Sequence, residues 1–355
     1  MMDKNRFLPP KKGAFCVFVA LLISLLLAGC APIPQESGTP AEDLNIHFID
    51  VGQADCILLE QGGAYLLVDG GNKADGQLVV SYLEQQGVQE LTAVVCTHAH
   101  EDHVGGLPSV LAVYPTAAVY APTNTYASNI FDKFVYYTDQ QGLEITIPQP
   151  GDTIGFGDTE VTVMGPTKSY PDANNTSIVL LVRYGQTAFL LTGDMETEAE
   201  NDMLDFWGEK TDWQVDLLKV GHHGSNSSSG YRLLYETEPD YGVISVGEGN
   251  TYGHPHKEPM ERFRASEVTV LRTDKLGTIL AHSDGKEITL TWDNQSGSPE
   301  NAEPAETIVY IGNVNSKKFH TPDCANLPAL KNQVEFSSIG EAIAAGYTAC
   351  TNCLG

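Results

Sequence analysis

Past residue 43 the chain alternates short apolar runs with breaks rich in glycine and aspartate. Residues 45–50, 55–60 and 64–69 each read as a strand, with Gly pairs between or after them. Residues 76–86 change the period. Leu78, Val79, Tyr82 and Leu83 fall on one face of a helix there. Residues 92–97 (TAVVCT) are apolar and β-branched and read as a buried strand, with polar residues following at once. Further strands are expected at 160–164, 177–183, 188–192, 215–220, 242–246, 277–281 and 287–292, and helices at 195–206 and 257–265. Many strands with a few helices between them predict an α/β domain of two sheets with helices packed outside them.

The first 43 residues follow another pattern. Lys4, Arg6, Lys11 and Lys12 precede an apolar run from residue 14 to residue 27, then Ala28, Gly29 and Cys30. The run is short for a membrane span, which needs about 20 apolar residues, and reads as a secretory signal. Its Leu-Ala-Gly-Cys ending resembles a bacterial lipobox. That resemblance implies a signal peptide over 1–29, lipid on Cys30, and a protein held at the extracytoplasmic face of the cell membrane. An uncleaved anchor is the alternative, and it leaves the rest of the chain on the same side. Residues 31–43, rich in Pro, Ser, Gly and Thr, read as a tether, so 30–43 forms a lipidated linker. Residues 294–306 read as a second linker, between a body at 44–293 and a tail at 307–355.

Composition narrows the function. The 355 residues carry 20 Lys+Arg against 46 Asp+Glu, a formal charge of −26. Tight non-specific duplex binding needs many cations on phosphates, and this chain lacks the surplus. An anionic substrate stays admissible if a metal supplies positive charge locally. Seven cysteines are too few for a disulfide scaffold. Cys56 and Cys96 sit in apolar strand patterns and read as packing residues.

The strongest chemical signal follows the 92–97 strand. His98, His100, Asp102 and His103 form H-x-H-x-D-H, so three of the ten histidines fall in six residues. Imidazole and carboxylate at a strand end suit Zn²⁺, Mn²⁺ or iron. Asp194 follows a second apolar strand, and His222-His223 follow a third. An apolar strand, a Gly and then a metal-capable side chain recur, which lets separate strand ends converge. His222 and His223 would point apart in extended backbone, so one is expected to bind metal. His223 is preferred, with His222 contacting substrate or donating a proton. His254 and His256 lie in a Gly/Pro loop and are either surface residues or contacts to a phosphate or leaving group. No G-x-S-x-G elbow occurs, so a serine hydrolase has little support.

With these motifs in view, residues 44–293 resemble the metallo-β-lactamase superfamily. Within it they are most similar to the hydrolase domain of the ComEC-type DNA-uptake competence proteins. The likeness is carried by Asp50-Val51-Gly52-Gln53-Ala54-Asp55, Val68-Asp69-Gly70-Gly71, the His98–His103 motif, Asn174-Asn175-Thr176-Ser177, Thr192-Gly193-Asp194, Lys219-Val220-Gly221-His222-His223-Gly224-Ser225 and Tyr252-Gly253-His254-Pro255. It implies an αββα sandwich with two divalent metal ions, zinc or manganese. It implies His98 and His100 on the first, Asp102, His103 and His223 on the second, and Asp194 between them. Asp69 and Asn175 would support these from behind. Asp102, His222 and His254 are the expected catalytic groups. One departure is that no His lies between His103 and His222, where many members of the superfamily supply another ligand.

The tail pairs His320-x3-Cys324 with Cys350-x2-Cys353, four donors suited to a closed zinc site. A piece of this size builds little core, so a structural zinc would supply folding energy. The segment resembles the small Ada-type zinc-binding domain, an α+β module, with His320 in place of one of four cysteines. A disulfide between Cys350 and Cys353 is the alternative. The reading that follows is a lipid-anchored hydrolase using metal-activated water on a phosphodiester, with single-stranded DNA as the candidate and no defined protein partner. A phosphocholine or cell-wall phosphoesterase and a non-catalytic surface binding protein are the competitors.

Overall fold

The computed structural model describes residues 42–300, 309–322, 324–337, 339–350, 353 and 354. The expected signal peptide and Cys30 lie outside the described residues. Among the described residues no helix is long and apolar enough to cross a membrane.

Fifteen strands build the body. They are β1 (Leu44–Phe48), β2 (Ile57–Gln61), β3 (Ala64–Val68), β4 (Ala93–Val95), β5 (Val119–Tyr120), β6 (Ile145–Thr146), β7 (Thr153–Phe156) and β8 (Thr159–Gly165). They continue as β9 (Val179–Tyr184), β10 (Thr187–Leu191), β11 (Leu217–Lys219), β12 (Tyr241–Ile244), β13 (Thr269–Arg272), β14 (Ile279–Ser283) and β15 (Ile288–Trp292). One sheet has the order β15-β14-β1-β2-β3-β4-β5-β6, and the other β13-β12-β11-β10-β9-β8-β7.

Central strands such as β4 and β10 are buried on both faces because both faces are covered. In β9, Leu180, Val182 and Tyr184 point between the sheets, where they join Ile46, Phe48, Leu59 and Phe189. Val179 and Leu181 of the same strand face outward against Met203, Leu204 and Phe263 from the helices Thr197–Trp207 and Lys257–Ala265. On the other sheet Leu58 and Leu67 face the helices Gly76–Gln85, Leu107–Leu111 and Asn129–Gln140. The layers run helix, sheet, sheet, helix, the expected αββα sandwich. Truncating a fully buried residue such as Phe189 to Ala would cost about 3–5 kcal/mol.

The segment expected to be a linker from residue 294 onward is partly folded. Glu300 exchanges backbone hydrogen bonds with Val270 and pairs with Arg272 at 3.1 Å. An acid flanked by two cations, Arg272 and Lys275, is drawn onto the sheet edge, so the body extends through residue 300. In the tail, β16 (Tyr310–Asn313), β17 (Lys318–His320), β18 (Gln333–Phe336) and β19 (Thr348–Ala349) form a sheet ordered β18-β16-β17-β19, with the helix Ile339–Ala344 beside it. Its core of Tyr310, Phe319, Phe336, Ile339, Ala342, Tyr347 and Leu354 is completed by Tyr231 from the body.

Candidate active site

The site lies where the carboxyl ends of parallel strands from both sheets meet. β3 and β4 are parallel, as are β10, β11 and β12. Asp69 follows β3, His98 to His103 follow β4, Asp194 follows β10, and His222 and His223 follow β11.

Asp69 takes a left-handed backbone (φ 60°). Its Oδ1 accepts the Thr97 N–H and its Oδ2 the Thr97 hydroxyl, each at 2.7 Å. The same Oδ2 lies 2.7 Å from His103 Nδ1, leaving His103 Nε2 to face the site. The Gly70 N–H donates to His103 O at 2.7 Å, and the Gly106 N–H to Gly71 O at 3.2 Å. A Cβ on Gly106 would collide with the Gly70 carbonyl, and one on Gly105 with the Lys73 backbone. Glycine is required for this seam.

Asp102, His103, Asp194 and His223 offer four ligand atoms within 4.8 Å of one another. His103 Nε2 lies 3.3 Å from Asp194 Oδ2, and His223 Nε2 lies 3.6 Å from the same oxygen and 3.4 Å from Asp102. His98 Nε2 is 4.0 Å from Asp194 Oδ2 and 3.0 Å from His100 Nδ1, so this second pair borders the same carboxylate.

The expected divergence of His222 and His223 does not occur. Both residues are left-handed (φ 47° and 53°) inside the turn Gly221–Gly224, not extended. His222 Nε2 also comes within 3.8 Å of Asp194 Oδ2, while its Nδ1 lies 3.3 Å from Glu196. His223 Nδ1 donates to the Ser245 carbonyl at 2.9 Å, which leaves Nε2 for the site. Asn174 and Asn175 split their tasks. The Asn174 amide approaches His222 Nδ1 at 3.5 Å, whereas Asn175 Oδ1 accepts the Glu196 N–H at 3.1 Å and so acts one residue removed from His222.

The metallo-beta-lactamase superfamily model matches residues 49–248, which include all of these site residues. The chain belongs to the metallo-beta-lactamase superfamily. It is 28% identical over 253 residues to ComE operon protein 3 of Bacillus subtilis, covering 66% of this chain and 32% of that protein. It is 30% identical over 256 residues to competence protein ComA of Neisseria gonorrhoeae, covering 72% and 34%. It is 30% identical over 240 residues to recombination protein 2 of Haemophilus influenzae, covering 65% and 28%. The chain thus spans about a third of the length of the curated relatives it matches.

Membership of the metallo-beta-lactamase superfamily implies divalent metal ions at this site, and the chain's own atoms fit that requirement. Asp194 Oδ1, His103 Nε2 and His223 Nε2 are buried without a hydrogen-bond partner. Three such orphans in one knot are costly unless a cation satisfies them. The charges agree. Burial alone would raise the Asp194 carboxyl, yet the neighbouring His103 and His223 hold it well below the usual carboxylate range. Burial lowers His98 far below the usual imidazole value, and His103 adds to this, so His98 stays neutral. Burial also brings His254 down to about 4, helped by His222 and His256.

Sequence reasoning in this metallo-beta-lactamase-superfamily chain placed Asp55 and Lys219 in the motifs of the likeness but gave them no role. The Lys219 ammonium lies 2.7 Å from Asp55 Oδ2, with 0% and 1% of the two side chains exposed. Asp55 Oδ1 stands 3.5 Å from His223 Nδ1, behind the site. A single Lys in the apolar run Leu217-Leu218-Lys219-Val220 was the available signal, because such a Lys needs a buried partner.

In the tail, His320, Cys324, Cys350 and Cys353 bring four ligand atoms within 4.8 Å of one another. Cys353 is a free thiol, pushed up to about 12 by burial and by the Cys324 sulfur beside it.

Proposed function

We propose that this hydrolase is a lipid-anchored phosphodiesterase or nuclease that acts on DNA at the extracytoplasmic face of the membrane. The observation that carries the hydrolytic reading is the Asp102, His103, Asp194 and His223 knot with its three orphaned buried atoms. DNA is favoured by the relatives, whose names speak of competence and recombination.

Asp102, His103, Asp194 and His223 would hold one divalent ion, and His98, His100 and Asp194 a second. Such ions polarise phosphoryl oxygens and make water nucleophilic at neutral pH. Zinc and manganese both suit the donors. Asp69 fixes the His103 tautomer, and the Ser245 carbonyl fixes that of His223. His222, held at Nδ1 by Glu196 and about a quarter exposed, is placed to give a proton to a leaving oxygen. His254 lies at the rim, its ring 5.6 Å from that of His222. Its low pKa keeps it neutral, so it contacts substrate without adding charge. The carboxylates of Asp55, Asp69, Asp102 and Asp194 against the one ammonium of Lys219 leave the knot strongly negative when its imidazoles are neutral. A phosphodiester is therefore admitted only alongside the cations. In the tail His320, Cys324, Cys350 and Cys353 would hold a structural zinc.

The test uses single-stranded DNA, bis-p-nitrophenyl phosphate and p-nitrophenylphosphorylcholine, each with Mn²⁺ or Zn²⁺. Cleavage of the first two is expected, with a loss of more than about 100-fold in Asp194→Ala at unchanged far-UV circular dichroism. Cleavage of the choline ester alone, or turnover that survives exhaustive chelation, would overturn the reading.

A further inference from the structure

Ring-to-ring contacts run in sequence through the site. From Tyr126 the centroids step 6.3 Å to His100 and 4.7 Å to His98, then 4.1 Å to His103 and 5.5 Å to His223. They continue 6.4 Å to His254 and 5.7 Å to Tyr252. The five inner rings belong to the site, and an exposed tyrosine stands at each end. Tyr252 is 67% exposed and Tyr126 37%.

Neither tyrosine is loose. The loop of Tyr252 is braced by Asn250, whose side chain donates to Gly247 O at 3.0 Å and His254 O at 2.7 Å and accepts the His254 N–H at 3.0 Å. The Tyr252 ring lies nearly parallel to His254, 24° between planes. Tyr126 is wedged edge-on against Phe131 at 6.0 Å, and the Ser128 N–H closes its turn onto Tyr126 O at 2.8 Å. Large apolar faces left in water on a braced backbone cost less further entropy when a flat ligand covers them.

We propose that Tyr126 and Tyr252 are base-stacking platforms on either side of the scissile phosphate, which commits the substrate to single-stranded nucleic acid. The inference rests on the phosphodiesterase reading and adds the part of the substrate that is recognised. The chain has a formal charge of −26, so general phosphate attraction cannot supply affinity. Stacking can, because every base has an aromatic face and the interaction needs no cation on the protein. Bases inside a duplex keep their faces covered, so only an unpaired strand meets both tyrosines.

The experiment measures binding and cleavage by the full chain with Mn²⁺. Its ligands are a labelled single-stranded oligonucleotide, an abasic strand of equal length and p-nitrophenylphosphorylcholine. Tyr252→Ala and Tyr126→Ala should each weaken oligonucleotide binding about 5- to 50-fold by fluorescence anisotropy, with KM rising in parallel. Tyr252→Phe and Tyr126→Phe, which keep the ring, should bind like wild type. The abasic strand should bind wild type and both Ala variants alike. If Tyr126→Ala disturbs its packing on Phe131, Tyr252→Ala alone decides, since that ring is mostly in solvent. Ala variants that bind and cleave the oligonucleotide as wild type does overturn the stacking proposal and leave the phosphodiesterase reading standing. Tyr-dependent turnover of the choline ester without any DNA cleavage overturns both.

Discussion

Replacing Lys219 with Met should be among the most damaging single changes in the body. The ammonium sits 2.7 Å from Asp55 Oδ2 and donates to Val220 O at 2.9 Å, with neither side chain in contact with solvent. At an effective dielectric constant of about 20 the pair attracts by roughly 6 kcal/mol, most of which offsets the desolvation of the two charges. Met fills similar volume but removes both the charge and the hydrogen bond to Val220 O. It strands a carboxylate 1% exposed beside the already acidic knot, at a cost of about 3–5 kcal/mol. The double variant Asp55→Asn/Lys219→Met discards both charges and should recover most of that loss. Urea unfolding of the chelated protein, followed by far-UV circular dichroism, gives the four corners of the cycle. The expected coupling exceeds about 2 kcal/mol. Divalent metal should shrink the penalty of Lys219→Met, because it compensates the freed carboxylate. A loss below about 1 kcal/mol in the single variant, or additive losses in the double, would refute the pairing argument.

Away from the site, His47 ties stability to pH. Burial holds its imidazole at about 4, with Nδ1 against the Tyr82 hydroxyl at 2.9 Å. The unfolded chain takes up this proton near pH 6.5 and the folded chain only near 4. The contribution is therefore complete above pH 6.5 and is lost as pH falls through 4, about 3 kcal/mol in all. His47→Gln should flatten the fall in unfolding free energy between pH 7 and pH 4 by that amount, and equal slopes in the two proteins would reject the assignment. In the tail, Cys324→Ser with Cys353→Ser should lower bound zinc by one ion per chain and abolish hydrogen-exchange protection in β16 to β19, leaving the body protected. Unchanged zinc content would mean that the four donors do not hold it.

Much of the site could be read from sequence because ligands crowd the ends of apolar strands. His98 to His103 follow β4 directly, and Asp194 follows β10 after a Gly. What stayed hidden depends on contacts between distant segments. His222 N–H donates to Gly193 O at 3.3 Å, which helps hold the two histidines in a left-handed turn that no local pattern announces. Asn174 and Asn175 divide their roles by the facing of a single turn, Asn174–Thr176. β5 and β6 have two residues each, too short to show a period. The helix Asn129–Gln140 was within reach, because Ile130, Phe131, Phe134 and Thr138 repeat at helical spacing on its buried face. Glu300 was taken for linker since its polar neighbours mask an acid that needs Arg272 to explain it.

The seam where Gly70 and Gly71 meet Gly105 and Gly106 also constrains how such an enzyme can change. Backbone meets backbone where Gly106 faces the Gly70 carbonyl and Gly105 the Lys73 amide, so any side chain added at either glycine collides. Asp69 and His103 are locked on opposite sides of it and shift only together. Point changes beneath the metal ligands break the centre and do not retune it. The loop bearing Tyr126 meets the site through a ring contact, and that bearing Tyr252 through ring contacts and the His256 N–H on Gly224 O, so neither is part of that seam. A lineage built on this chassis would acquire new substrates by exchanging those two loops, His254 included, with the metal-binding residues carried along unaltered.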